Sequence, residues 1–293
     1  PAKRKMKHMD RVAPELRAAF LPPDAVNMGA LRLAIADTIK NYGPKYPDGP
    51  KYLAQLSKLE AEQVATETAG TNEQARVELA LQSLRSEAMF AHPELNFDKL
   101  LFFKRNSRFY GHTYVDQHHF KPGGNLCVLS PVRPGGKVTT LVPELEGGMF
   151  DRFDLSYDAK KVVFAYKRSK DESFYIYDLD LDPVQGIMVP GSLRQLTGGS
   201  DDKNVQCAGT EAGKPRNYFR GFDDMDPIYL PDGKILFVST RARQNTYCAV
   251  STVTTLYVMD ADGKNMKRLS VGPINETSPS VMNDGRVVYT RWE

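Results

Sequence analysis

Only three cysteines occur in 293 residues, and no two stand at the Cys-x-x-Cys spacing of a metal knuckle or a redox pair. No histidine follows a cysteine, so the Cys-x-x-Cys-His motif that attaches haem covalently is missing. No apolar run approaches the roughly 20 residues that a membrane-spanning helix needs. Charge of one sign is not in excess either. With 39 basic and 36 acidic residues there is no overall field to draw nucleic acid or an anionic membrane, and neither is expected as a partner. A Gly-x-Ser-x-Gly elbow is absent, which removes the simplest serine-hydrolase reading. "GTEAGKP" (209–215) has one residue too few between its glycines, and Pro215 stands where a phosphate loop needs a hydroxyl. "DADGKN" (260–265) has its glycine too early for a calcium loop and reads as a β-turn.

What the chain does contain is a repeat. "DPIYLPDGKILFVSTR" (226–241) and "SPSVMNDGRVVYTRWE" (278–293) share one layout, with Pro227 and Pro279 preceding Asp232-Gly233 and Asp284-Gly285 at the same interval. Asp-Gly between apolar runs predicts a hairpin with a tight turn and positive φ at its central residues. The runs that follow, Ile235–Val238 and Val287–Tyr289, are β-branched and aromatic with little alternation, so each predicts a strand covered on both faces. Looser copies appear in "DLSYDAKKVVFAYKR" (154–168), with Ala159 in place of glycine, and in "KLLFFKR" (99–105). The second half of the unit, "TLYVMDADGKNMKRLS" (255–270), has counterparts in "YIYDLDLD…LRQLT" (175–197) and "NLCVLSPVRPGGKVTTLV" (125–142). A four-stranded unit of roughly 45 residues is the blade of a β-propeller. The expected fold over residues 96–293 is therefore mainly β: an incomplete propeller of three blades plus the start of a fourth, with inner strands near 153–157 and 227–230.

Residues 1–95 predict an α-helical segment. Met28, Leu31, Ile35 and Ile39 step at helical spacing, and Gly43 stands where that helix should stop. Tyr52, Leu53, Leu56, Leu59 and Val64 mark a second helix, and Thr71 with Gln74 has capping-box spacing before a third that carries Val77, Leu81, Leu84 and Ala88. These stripes are core, not a cofactor box. The opening "PAKRKMKHMD" reads as a solvated tail, and the charges of "RVAPELRAAFLPP" behind it break any signal-peptide apolar region.

No catalytic constellation stands out, and the candidate contact residues fall in two groups. "GHTYVDQHHF" (111–120) gathers His112, Asp116, His118 and His119. In an extended segment only one of the adjacent histidines shares a face with His112, so two imidazoles and a carboxylate could hold a metal. A polar connection between strands is the plainer reading. Arg168, Arg241 and Arg291 end or follow inner strands, beside Asp154 and Asp226. They would line an axial channel that receives a protein partner or small ligand, or stitch neighbouring blades as ion pairs. Cys207 and Cys248 flank one hairpin and could be bridged in an oxidising compartment, with Cys127 left free in a strand.

Taken together, "NLCVLSPVRPGGKVTTLVP", "FDDMDPIYLPDGKILFVSTR", "TLYVMDADGKNMKRLS" and "SPSVMNDGRVVYTRWE" resemble the large bacterial family related to the alpha subunit of hydrazine synthase, whose propeller is similar to that of TolB. "LRSEAMFAHPELNFDKLLFFKR" resembles the region before that propeller. The resemblance implies an exported, periplasmic protein with a propeller of about six or more blades, of which this chain would be the N-terminal portion. It does not bring haem to this chain, where the attachment motif is missing. Three functions follow as expectations: a non-catalytic scaffold or binding module, a subunit of a haem-dependent redox enzyme with haem carried elsewhere, or a metal-dependent enzyme using the His112–His119 loop.

Overall fold

The structure is a computed structural model that describes residues 25–66, 71–106, 120–133, 135–199, 222–244 and 252–292. It divides into two compact units: the residues up to Asp98 with Pro131–Gly136, and Lys99–Ser130 with the residues from Lys137 on.

The first unit holds three helices, α1 (Met28–Tyr42), α2 (Gly49–Thr66) and α3 (Thr71–Phe90). The Asn27 side chain accepts from the Ala30 amide at 2.9 Å and so satisfies one of the open donors at the start of α1. Gly43 ends the helix at φ 48°, returning its amide to the Ile39 carbonyl. Leu31 and Ile35 pack with Tyr52, Leu56, Val77, Leu81, Leu84 and Ala88 in one core, as their spacing predicts. Val64 departs from that expectation: it is 69% exposed in the last turn of α2, outside the cluster. Tyr46 crosses the core to donate its hydroxyl to the Ala88 carbonyl at 2.8 Å, and burial pushes its pKa up to about 12. No helix among the described residues is long and apolar enough to cross a membrane.

The second unit is built from four antiparallel sheets in chain order. The first contains β1 (Leu100–Arg105), β2 (Gly124–Ser130) and β3 (Lys137–Thr140). The second runs β4 (Met149–Leu155), β5 (Lys161–Lys167), β6 (Tyr175–Asp182), with β7 (Ile187–Met188) and β8 (Arg194–Gln195) both paired to β6. The third is β9 (Asp224–Tyr229), β10 (Ile235–Ser239), β11 (Thr255–Met259) and β12 (Lys267–Arg268), and the fourth is the hairpin β13 (Asn275–Val281) and β14 (Val287–Trp292). Two expectations need correction. Among the described residues the first sheet has three strands rather than four, and the first strands of the second and third sheets begin earlier, at Met149 and Asp224. They start sooner because each continues through a β-bulge, between Phe150 and Phe153 and between Met225 and Ile228.

The turns repeat closely, in a form other than the one expected. Positive φ occurs at the glycine alone, 83° at Gly233 and 84° at Gly285, and not at the aspartate before it. Gly233 donates to the Leu230 carbonyl and Gly285 to that of Met282, each at 2.9 Å, while the Asp232 and Asp284 carboxylates accept from the amides two residues on. This is a type I turn closed by a glycine bulge, a longer loop than the two-residue hairpin. Gly263 and Ala159 hold the same place in their turns, and Ala159 adopts φ 58° without glycine's freedom.

β5 and β10 are buried almost throughout, as their unbroken apolar runs predict. One core joins the first two sheets through Leu126, Phe150, Phe164 and Tyr177. A second joins the second and third sheets through Val163, Ile176, Phe237 and Val238, with Val287 and Tyr289 of the fourth packed against it.

Candidate functional site

Buried carboxylates concentrate where one sheet meets the next. The bulges align Asp151 of β4 with Asp226 of β9 and Ser278 of β13, the extra residue of each first strand. Asp226 and Ser278 take positive φ, 50° and 55°, and each is followed by a proline whose missing amide suits an unpaired bulge position. Asp226 reaches both neighbouring sheets. Its carboxylate accepts from the Ser278 amide at 2.7 Å on one side and pairs with the Arg152 guanidinium at 2.9 Å on the other. Burial, followed by the charge of Asp151, pushes its pKa up to about 7. Lower on the same seam, Asp154 accepts from the Tyr229 amide at 2.8 Å.

A second joint appears at both seams. At the second-to-third seam the Phe174 amide donates to Asp223 at 2.8 Å, and the Asp224 amide returns to the Phe174 carbonyl at 2.9 Å. At the third-to-fourth seam the Thr254 amide donates to the Asn275 side chain at 2.9 Å, and the Glu276 amide returns to Thr254 at 3.0 Å. The acid that follows then takes a hydroxyl from just past the last strand of the sheet before: Thr197 bonds Asp224, and Ser270 donates to Glu276. Those hydroxyls close the matching "LRQLT" and "MKRLS" segments.

Asp224 is the most enclosed of these groups. Arg241 grips it with Nε and Nη2, Ser239 donates at 2.6 Å, and the Arg241 guanidinium lies over the Phe222 ring. Burial still raises the Asp224 pKa against these stabilising contacts. Asp223 is pushed up to about 6 by burial, with the Lys167 ammonium acting against that rise. Lys167 is itself buried and its pKa is lowered by the same desolvation.

The residues picked from the sequence divide accordingly. Arg241 does not meet Asp226; its partner is Asp224, within one sheet. Asp154 is not the counterpart of Asp226, since the bulge assigns that place to Asp151. Arg168 is exposed and hydrogen-bonds Tyr177 of its own sheet, and Arg291 stands opposite Glu276 in the fourth sheet. Of the cross-sheet stitching expected from arginine and aspartate, the Arg152–Asp226 pair is one instance, and side-chain oxygens on backbone amides, with hydroxyls on carboxylates, supply further contacts. Cys127 is free and buried in β2. His112, Asp116, His118, His119, Cys207 and Cys248 lie outside the described residues. Among the described residues no group of three or more His, Cys, Asp and Glu side chains is placed to hold a metal ion.

One topological feature concerns access. In the second and third sheets the second strand ends, and the third begins, at the end where the first strand starts, as the pairs Tyr166↔Tyr175 and Ser239↔Thr255 show, and in the first sheet β1 ends beside the start of β2 at Arg105↔Gly124. Connections 106–123 and 240–254 each leave from and return to one end of a single sheet, and 196–223 runs from β8 of the second sheet to the start of β9 in the third, beside Asp223 and Asp224. The helical unit has its own groove of about 1280 Å³ among Tyr52, Leu79, Phe90, Leu95 and Arg133, with none of the sequence candidates in it.

No protein-family profile matches the chain, and no curated protein matches it. Solved structures do. A protein assigned as TolB from Agrobacterium tumefaciens is 20% identical over 58% of this chain and 47% of its own, with a TM-score of 0.37. An endo-arabinase from Bacteroides thetaiotaomicron is 18% identical over 59% and 61%, with a TM-score of 0.35. A thermostable family-43 glycoside hydrolase is 14% identical over 58% of each chain, with a TM-score of 0.35. The chain thus spans from about half to three fifths of the length of these proteins.

Proposed function

We propose that residues 96–293 are part of a β-propeller and that the chain acts as a binding module without self-contained catalysis, offering one end of its sheets to a protein partner or small ligand. The observation that carries this reading is that the long connections 106–123, 196–223 and 240–254 begin and end at strand ends next to the hydrogen-bonded seams. Binding residues favour long connections held by such a scaffold. Kinship with the hydrazine synthase alpha subunit family, and export to the periplasm with it, belongs to this proposal on the strength of the four sequence blocks quoted above. We infer that the chain carries no haem of its own, since it lacks the attachment motif; the purified protein should show no strong absorbance near roughly 400 nm.

The test replaces 107–119 and 201–221 with short Gly-Ser linkers and compares variant and intact chain. Cell-envelope extract of the host is passed over both. Partners held by the intact chain and lost by the variant, with far-UV circular dichroism unchanged, support a binding module. Equal retention on both proteins, or stoichiometric metal with turnover that His112→Ala abolishes, overturns it.

A further inference from the structure

Helix α3 carries two apolar stripes. One, with Val77, Leu81, Leu84 and Ala88, fills the core of the helical unit. The other, Leu79, Ser83, Ser86 and Phe90, repeats at i, i+4, i+7 and i+11 and lines the groove of about 1280 Å³, with Leu79 66% and Phe90 40% exposed. We propose that this groove is the seat of residues 14–21 of the same chain, held as a short helix antiparallel to α3 that makes the unit four-helical.

A second stripe on a helix calls for a second packing partner. Ser83 and Ser86 keep the middle of the stripe low, so another backbone can come close, while Leu79 and Phe90 stand high at its two ends. Eight helical residues rise about 12 Å and fill on the order of 1000 Å³, which suits both the groove and the roughly 16 Å from Leu79 to Phe90 along α3. Residues 14–21 lie outside the described residues, and their sequence carries the matching stripe. In "RVAPELRAAFLPP" (11–23), Leu16, Ala19 and Phe20 share a helical face, Pro14 suits a first turn, and Pro22 with Pro23 ends the run.

Topology brings that segment to the groove. Arg32 of α1 pairs with Glu60 of α2, and Arg76 of α3 pairs with Glu62 of α2 at 3.2 Å. At the opposite end of the unit the rings of Tyr42 and His92 meet with centroids 4.8 Å apart. Helices α1 and α3 therefore start at one end, the end where Ala25 leads into α1. Residues 22–24 reach about 10 Å, the spacing of adjacent helices, so Phe20 arrives beside Leu79 and Pro14 beside Phe90. Charge favours the same direction. Glu87, Glu94 and Asp98 line the far end of the groove against Lys45 and Arg133, and the residues reaching them would be Lys3, Arg4, Lys5 and Lys7.

An isolated stretch this short does not stay helical in water, so protection of its amides reports docking. Hydrogen exchange and carbodiimide cross-linking are read by mass spectrometry on the full chain. Amides 16–20 are expected to be protected at least about tenfold over their intrinsic rates. Phe20→Asp and Leu79→Asp should each abolish that protection, with Leu84 still protected. Cross-links should join Lys3, Lys5 or Lys7 to Glu87, Glu94 or Asp98 of the same molecule. Unprotected amides in the wild type, protection that survives either variant, or no cross-link from these lysines to the three acids overturns the proposal. Cross-links formed only between isotope-labelled and unlabelled chains in a mixture also overturn it, because a second copy then fills the groove. If Leu79→Asp does not fold, Phe20→Asp and the wild-type cross-links decide.

Discussion

Arg241 and Asp224 form a bidentate pair closed to water, with Nε and Nη2 donating to the two carboxylate oxygens at 3.0 and 2.6 Å and side chains only 3% and 0% exposed. Breaking such a pair from one side strands the other charge in the interior, at a cost of about 3–5 kcal/mol. Arg241→Ala should therefore destabilise by that amount, and the double variant Arg241→Met with Asp224→Leu by less than the single one. Urea unfolding of the three proteins checks the order.

Tyr229 donates its amide to Asp154, but its buried hydroxyl has no hydrogen-bond partner among the described residues. Desolvation holds the phenol protonated, with its pKa well above the ordinary tyrosine range. Removing an unsatisfied hydroxyl removes its desolvation penalty, so Tyr229→Phe should be neutral or stabilising by about 1 kcal/mol. A loss of 2 kcal/mol or more in chemical unfolding would mean that the hydroxyl has a partner after all.

Ala159 occupies the place that glycine holds in the other three turns, at φ 58°. An L-residue with a Cβ is penalised there by roughly 1–2 kcal/mol. Ala159→Gly should raise stability by about 1 kcal/mol once glycine's greater unfolded-state entropy is deducted. Thermal unfolding, read as a rise of a few degrees in the midpoint, is the measurement.

Stability should also depend on pH, with a definite sign. Asp223 and Asp226 are raised from the ordinary 3.8 to about 6 and about 7. Between those limits the folded chain holds more protons than the unfolded one, so the contribution is complete below about pH 4 and lost by about pH 7. The Asp226 contribution alone is on the order of a few kcal/mol. Urea midpoints should therefore fall from pH 5 to pH 8, and Asp226→Asn should flatten the slope.

β14 differs from its counterparts β5 and β10. It is largely exposed, with Val288 and Trp292 about half open to solvent, whereas β10 is buried throughout. Its amides should exchange faster than those of β10 by at least about tenfold, a difference of roughly 1.4 kcal/mol in opening free energy. Equal protection in a monomer would show that this hairpin is self-sufficient.

How much of this was legible in the sequence depends on the range of the chemistry. Asp-Gly pairs and unbroken apolar runs act locally, so the turns at 232, 262 and 284 and the buried strands β5 and β10 could be placed from residues alone. The seams could not. "FDRFD" (150–154) and "FDDMD" (222–226) share their spacing, which invites Asp154 to be matched with Asp226. The bulges shift that correspondence by three residues, onto Asp151, and a bulge is a property of paired strands rather than of one. Asp224, Thr197, Glu276 and Ser270 went unnoticed for the same reason, though the 52-residue interval between Asp224 and Glu276 in a repeating sequence was the available clue.

The joint made by Phe174 with Asp223 and Asp224, and again by Thr254 with Asn275 and Glu276, bears on how such a chain grows. The third sheet carries both halves, the socket at the start of its first strand and the plug just before its third. A genetic duplication of one whole unit would arrive with both halves of the connection in place and in the right orientation, ready to stack on its parent. A deletion that cut the unit anywhere else would leave an acid facing no amide, and selection would remove it. The chain's length can thus change by whole sheets, while the wording of each sheet stays under constraint.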